Sequence, residues 1–333
     1  MVNKFGSVKY KIIIAFVIIS SIVGIIIYKS NSAMYINLPH QIPASISEKF
    51  IVGYTLNKEL ECEKTLREPM GLVAANDMLI VSDSGNNRVL FLDYEGNIIK
   101  TIGKTGNGNG EFIKPTGLTI YNNKIYVVDS GNYRIQVFNI NGDFIDKIEI
   151  NVEKYSSSHD FLNGIAVSDN NYIYISVYTG YTFGAKIIAI TPDGKTKVIN
   201  KQFEGHLAKV DNRVIFVSEM ELIKKGEDYA ATTGRNFMLE ISDGKVLNLI
   251  ELPYRYQPSG IFYNHGELVM VSASRASINT FDMNGKYKET LFKGDWIMLN
   301  GMAALTMDED GNMFVCNKKK NVIYKFSKPE NKE

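Results

Sequence analysis

Cysteine is almost missing from this chain: Cys62 and Cys316 are the only two among 333 residues. Two cannot build a disulfide scaffold, and no Cys-x-x-Cys spacing is present to hold a metal. One bridge between them stays open, because both fall near the point where the chain is expected to close on itself. Excess charge of either sign is also missing. Thirty-seven basic residues face 36 acidic ones, for a formal net charge of +1, so no global field recruits nucleic acid or an acidic partner. Long apolar runs are missing except for one, residues 12–28. As a helix it would cover about 25 Å, near the lower limit for a bilayer. Lys4, Lys9 and Lys11 precede it and only Lys29 follows closely, so the positive-inside bias keeps the N-terminus cytoplasmic and sends the remainder outward. A cleaved signal peptide is the alternative, with Asn31-Ser32-Ala33 a poor cleavage site. No cysteine follows the run to accept a lipid.

What is abundant is β-forming side chains, with 45% hydrophobic residues including 19 Tyr and 17 Phe, and one pattern written twice. Pro69-Met70-Gly71-Leu72, then Asp83-Ser84-Gly85-Asn86-Asn87-Arg88-Val89, then Gly96 is followed by Pro115-Thr116-Gly117-Leu118, then Asp129-Ser130-Gly131-Asn132-Tyr133-Arg134-Ile135, then Gly142. Each landmark recurs 46 residues on. A fixed period of this length marks a supersecondary unit stacked on its neighbours. Short alternating apolar runs cut by Gly, Asn and Asp turns make that unit about four strands. The opening glycine recurs in weaker form at Gly164, Gly205, Gly260 and Gly301, giving spacings of 46, 47, 41, 55 and 41. Six such units predict an all-β, six-bladed propeller of four-stranded antiparallel blades. The last unit runs out after three strands. A lone strand at Phe50–Thr55 is expected to supply the fourth and close the ring, removing the open sheet edges. The expected organisation is a basic cytoplasmic segment at 1–11, a signal anchor at 12–28, a linker at 29–47, the propeller at 48–328 and a polar tail at 329–333.

The Pro-x-Gly-Leu opening, the Asp-Ser-Gly-Asn-x-Arg turn and the connection Gly106-Asn107-Gly108-Asn109-Gly110-Glu111-Phe112 resemble those of NHL-repeat propellers. Later units carry Ser176, Ser218, Ser272 and Cys316 in place of the Asp, and lack the Arg. The resemblance therefore implies the fold over residues 50–326 and no inherited active site. Asp83 with Arg88, and Asp129 with Arg134, read as pairs that fix a turn, and their replacement is expected to cost stability but spare binding.

With strands lettered a to d outward from the axis, the d-to-a and b-to-c connections share one face. The residue before each opening glycine then lies at the axial mouth of that face: Met70, Thr116, Asn163, Glu204, Ser259 and Asn300. The b-to-c connection takes six steps from Asp129 to Ile135, but eleven from Ser176 to Ile187 and nineteen from Ser218 to Phe237. Loops grown on one face of a repeat array mark a binding face. Expected ligand contacts are Thr116, Asn163, Glu204, Ser259, Asn300, Tyr178, Tyr181, Phe183, His206, Tyr254, Tyr256 and Trp296, a polar and aromatic surface suited to a protein, peptide or glycan.

Propellers of similar type include lyases and lactone hydrolases with a divalent metal on the axis. His159, His206 and His265 do not fall at equivalent unit positions and cannot converge as a zinc triad. Asn163, Glu204 and Asn300 are weak candidates for hard oxygen ligands to Ca²⁺, the one cofactor entertained. No catalytic base is identifiable. Asp308-Glu309-Asp310-Gly311-Asn312 reads as a tight turn and Lys318-Lys319-Lys320 as a solvated loop. The sequence thus points to a single-pass membrane protein whose extracytoplasmic propeller binds or senses a ligand. A metal-dependent lactonase or lyase at the channel mouth is the alternative, and nucleic acid is not an expected partner.

Overall fold

In the computed structural model the described residues are 53–60, 62, 65–150, 160–179, 186–201, 203–225, 228–232, 236–252, 256, 258–273 and 275–329. The expected anchor at 12–28 and linker at 29–47 lie outside them. Among the described residues no helix is long and apolar enough to cross a membrane.

Six sheets follow one another around an axis, each of at least four antiparallel strands. Blade one runs Pro69–Ala75, Met78–Asp83, Arg88–Leu92 and Ile98–Ile102, and blade two repeats it from Pro115–Tyr121 to Phe144–Glu149. The middle strands are unbroken apolar runs, as Leu79-Ile80-Val81 shows: all three are fully buried because the strand is covered on both faces by neighbouring blades. Outer strands meet solvent, as in the largely exposed Lys245–Glu251, where Val246, Leu247 and Leu249 are left uncovered. The apolar residues of successive blades interdigitate in six clusters. One lies at each blade junction, so the core is a ring of interfaces around the axis.

Closure works as expected, but with a different segment. Thr55–Leu60 pairs antiparallel with Val322–Ser327 as the outermost strand of blade six, in register Thr55↔Ser327 to Leu60↔Ile323. The strand expected at Phe50–Thr55 is therefore moved five residues later. Gly53 has a positive φ of 87° and Tyr54 turns inward, its ring buried and its hydroxyl donating to the Gly311 carbonyl at 3.0 Å. The apolar run that suggested a strand is in part an anchor against blades five and six. The strand itself is the polar stretch Thr-Leu-Asn-Lys-Glu-Leu, as an exposed edge permits.

Blade four departs from expectation too. Its insertion, expected as a loop over residues 219–236, is largely a β-ribbon: Arg213–Lys225 overruns the sheet and pairs with Asp228–Thr232. Cys62 and Cys316 do meet at the closing junction, in the cluster between blades six and one. They are two buried thiols and form no disulfide. Burial pushes the Cys316 thiol up to about 12, so it packs as a small apolar group.

The opening glycine has a steric cause. A Cβ on Gly117 would lie 2.2 Å from the Asn163 carbonyl oxygen, and one on Gly71 2.4 Å from that of Thr116. The innermost strands converge at the axis, and only a missing side chain lets backbone touch backbone there. Gly117→Ala is expected to cost about 2–3 kcal/mol, seen as a lower urea midpoint. An unchanged midpoint would mean the innermost strands can separate freely.

Candidate functional site

The bulges that open the innermost strands shape the channel mouth. Strand register shifts between Pro69 and Gly71, Pro115 and Leu118, Leu162 and Ile165, and Met302 and Ala304. A bulge re-aims side chains at the end of a sheet, and in blades one to three it falls on the residue before the glycine, Met70, Thr116 or Asn163. A cavity of about 760 Å³ opens there. Met70, Thr116, Asn163 and Ser259 line it, together with His206, Tyr178 and Phe161.

The repeated Asp-Ser-Gly-Asn-x-Arg motif builds the rim of this cavity. In blade two, the fully buried Asp129 accepts from Arg134 Nε at 2.8 Å, Asn132 Nδ2 at 2.8 Å, Gln136 Nε2 at 3.1 Å and the Ile113 backbone N–H at 2.8 Å. Arg134 donates onward to the carbonyls of Asn107, Gly108 and Glu111. In blade one, Asp83 likewise holds Arg88 Nε at 2.7 Å and the Arg67 N–H at 2.7 Å. Each motif is thus a knot tying a b-to-c turn to the connector that enters the same blade. The expected turn-fixing role holds, and the knot also places the neighbouring rim residues Arg67 and Lys114, which face the cavity.

The sequence-derived site residues divide into several groups. Asn163, Ser259, His206 and Tyr178 share the cavity, and the Asn163 carboxamide has no protein hydrogen-bond partner among the described residues. Thr116 lines it as well, but its hydroxyl donates to the Leu162 carbonyl at 2.8 Å and so ties blade two to blade three. Tyr256 is a correction: it is fully buried in the junction of blades four and five, and its hydroxyl bonds the Met270 carbonyl and Asn279 Oδ1. A ring that large in a connector packs the loop down instead of facing the ligand. Asn300 is not among the described residues that line the cavity; its Oδ1 accepts from Lys319 Nζ at 2.9 Å, and an ammonium on that oxygen opposes a cation there. Tyr181, Phe183 and Tyr254 lie outside the described residues, as do the side chains of Glu204 and Trp296. Among the described residues no three His, Cys, Asp or Glu side chains group to hold a metal. Asp308 accepts from the N–H and side chain of Asn312 at 2.7 and 2.8 Å, a plain closed turn as read.

Residues 61–245, more than half of the chain, match a family described as a 6-bladed beta-propeller. The chain belongs to that 6-bladed beta-propeller family. No curated protein matches it. A gluconolactonase from Xanthomonas campestris shares the fold at TM-score 0.59 and 13% identity, over 89% of this chain and 96% of that one. The virginiamycin B lyase from Staphylococcus aureus does so at TM-score 0.53 and 14% identity, over 83% and 99%. A luciferin-regenerating enzyme does so at TM-score 0.59 and 11% identity, over 83% and 95%. At these identities the likeness is one of fold alone.

Within this propeller, sequence reasoning missed the basic rim: Arg67, Lys114, Lys318 and Lys319 all line the mouth. One signal was available, since the Lys318-Lys319-Lys320 run falls on a b-to-c turn and hence on the mouth face. His206 is the other informative group. Burial and, to a lesser extent, the Lys318 charge lower its imidazole to about 4, against a hydrogen bond to the Pro258 carbonyl that raises it. At neutral pH it is an uncharged donor and acceptor. Between about pH 6.5 and pH 4 the unfolded chain takes up a proton on this histidine that the folded one refuses, so stability falls as pH falls through that window, by up to about 3 kcal/mol. Urea unfolding of the parent and of His206→Asn should diverge at about pH 7 and converge towards about pH 4.5. Parallel curves would place the ring in a solvated setting.

Proposed function

We propose that this propeller is a binding and sensing module, held at the cell membrane by residues 12–28 with the propeller on the extracytoplasmic side, and that its ligand seats in the axial mouth. The observation that carries the reading is the cavity of about 760 Å³, a volume typical of small-molecule sites. It is lined about equally by unspent polar groups such as Asn163 and by exposed rings such as Phe161 and Tyr178, at 44% and 45% exposure. The lysine imbalance around residues 12–28 supports the orientation. The repeated motif of blades one and two supports an NHL-type ancestry for them.

Filling the mouth tests this reading. Asn163→Trp removes no described side-chain bond and occupies the cavity, so the melting temperature should stay within a few degrees. Native mass spectrometry of the full chain purified from its own membranes should show a bound small molecule in the parent and none in the variant. A ligand kept by the plugged protein would put the site elsewhere. Protease added to intact cells should degrade the propeller, and full protection would sink the orientation.

An enzyme of lactonase or lyase type at the same mouth is the second reading. It rests on His206, a neutral imidazole facing the cavity. Among the described residues no carboxylate contacts it to raise its basicity, which is why binding is the reading preferred.

A further inference from the structure

The mouth is charged out of proportion to the molecule. Net charge is +1 over the whole chain, yet among the described residues the ionised side chains lining the cavity are Arg67, Lys114, Lys318 and Lys319 against Glu68. Several cations elsewhere are paired: Arg88 with Asp83, Arg134 with Asp129, Lys58 and Lys325 with Glu95. Among the described residues none of the four mouth cations meets a carboxylate. Lys319 rests on the neutral Asn300 amide, and Lys114 Nζ sits 5.9 Å from the Phe161 ring centre.

Two of these residues are also held in an unfavourable backbone state. Glu68 and Lys114 have φ of 49° and 50°, and each precedes a proline, where crowding already restricts the backbone. A left-handed non-glycine residue persists only where its surroundings enforce it. The enforcement is visible and is the same at both positions. The Glu68 N–H donates to Asn321 Oδ1 at 2.8 Å, and the Lys114 N–H to Asn87 Oδ1 at 2.7 Å. Both asparagines are themselves left-handed, at 59° and 54°. The rim connectors are therefore pinned from two sides, by Asp83 and Asp129 on the residue before and by these asparagines on the residue itself.

We infer that the mouth takes a small organic anion, a carboxylate or phosphate ester joined to an apolar or aromatic group. This rests on the binding reading above. Arg67, Lys114 and Lys318 supply charge-assisted donors to the oxyanion. Phe161 and Tyr178 supply the apolar wall on the blade-three side of the cavity. Pinned connectors keep the donors in place before the ligand arrives, so less freedom is lost on binding.

Four probes with the same ring test it on the full chain in a neutral detergent: benzoate, phenyl phosphate, benzyl alcohol and benzylamine, by isothermal titration. Benzoate and phenyl phosphate should each bind about tenfold tighter than benzyl alcohol, with benzylamine weakest, and added salt should erode the difference. The tighter of the two anions identifies the oxyanion. Lys318→Ser and Lys114→Gly should each weaken the anions about three- to tenfold and leave benzyl alcohol unchanged. Lys114→Gly should melt no lower than the parent, because glycine accepts the left-handed backbone without strain. Benzyl alcohol or benzylamine binding as tightly as the anions, in a manner sensitive to Tyr178→Ala, would overturn the anion assignment and leave the binding reading intact. No binding by any of the four would overturn both.

Discussion

Deleting Thr55–Leu60 from the full chain is expected to make the propeller aggregate. Five register pairs tie this strand to Val322–Ser327, and Leu60, 1% exposed, fills the junction beside Phe314, Cys316 and Ile323. Its loss strips a sheet of its outer strand and bares the edge of Val322–Ser327, which then templates pairing with another copy. It also opens the interface between the first and last blades, because this strand is what ties the connector entering blade one at Pro69 to the last blade. Stability of a domain totals about 5–15 kcal/mol, and losing a strand with its buried leucine removes a large part of that. The milder Leu60→Ala should cost about 2–5 kcal/mol. Size-exclusion chromatography and a melting curve give the answer, and a synthetic peptide spanning residues 53–62 should restore the parent's elution volume. A deletion variant that keeps the parent's elution volume and melting temperature would show that the ring closes by some other means.

That closure was legible in kind and misplaced in position, and the reason is physical. Sequence reading follows apolar runs, and Phe50-Ile51-Val52 supplies one. The true edge strand is largely exposed and reads Thr-Leu-Asn-Lys-Glu-Leu, which holds no apolar run to flag it. The same bias explains the interior of the site. Periodicity of the opening glycines located the mouth and four of its six pre-glycine residues, because backbone contact at the axis leaves glycine no substitute. Tyr256 looked like a ligand ring because it lies in a connector, and only packing shows that its neighbours are Phe281 and Tyr287. The basic rim escaped for a different cause. Arg67 and Lys114 are far apart in sequence from Lys318 and Lys319, and only the circular arrangement of blades brings them to one cavity.

Asp129→Ala is expected to be the costliest single substitution in the repeats, and to be felt in the cavity as well. It leaves Arg134, whose side chain is 3% exposed, with a buried charge and only backbone carbonyls to meet it, and it orphans the Ile113 N–H. Removing one member of such a pair costs about 3–5 kcal/mol. Asp83→Ala is the matched case with the opposite exposure: the Arg88 side chain is 23% exposed, water reaches it, and the cost should be nearer 1–3 kcal/mol. The order of the two, read from urea midpoints, is decided by burial and not by the motif, which is the same in both. The sequence alone suggested that neither change would touch binding. The structure argues otherwise, since Asp129 holds the residue before Lys114 and Asp83 holds Arg67 itself. Each variant should therefore weaken phenyl phosphate about two- to fivefold under conditions where it is fully folded. An equal cost for both would mean that the Arg134 site is wetter than its geometry shows. Full-strength binding in a destabilised Asp129→Ala would mean that the connector holds Lys114 without the knot, and that turn and rim are independent after all.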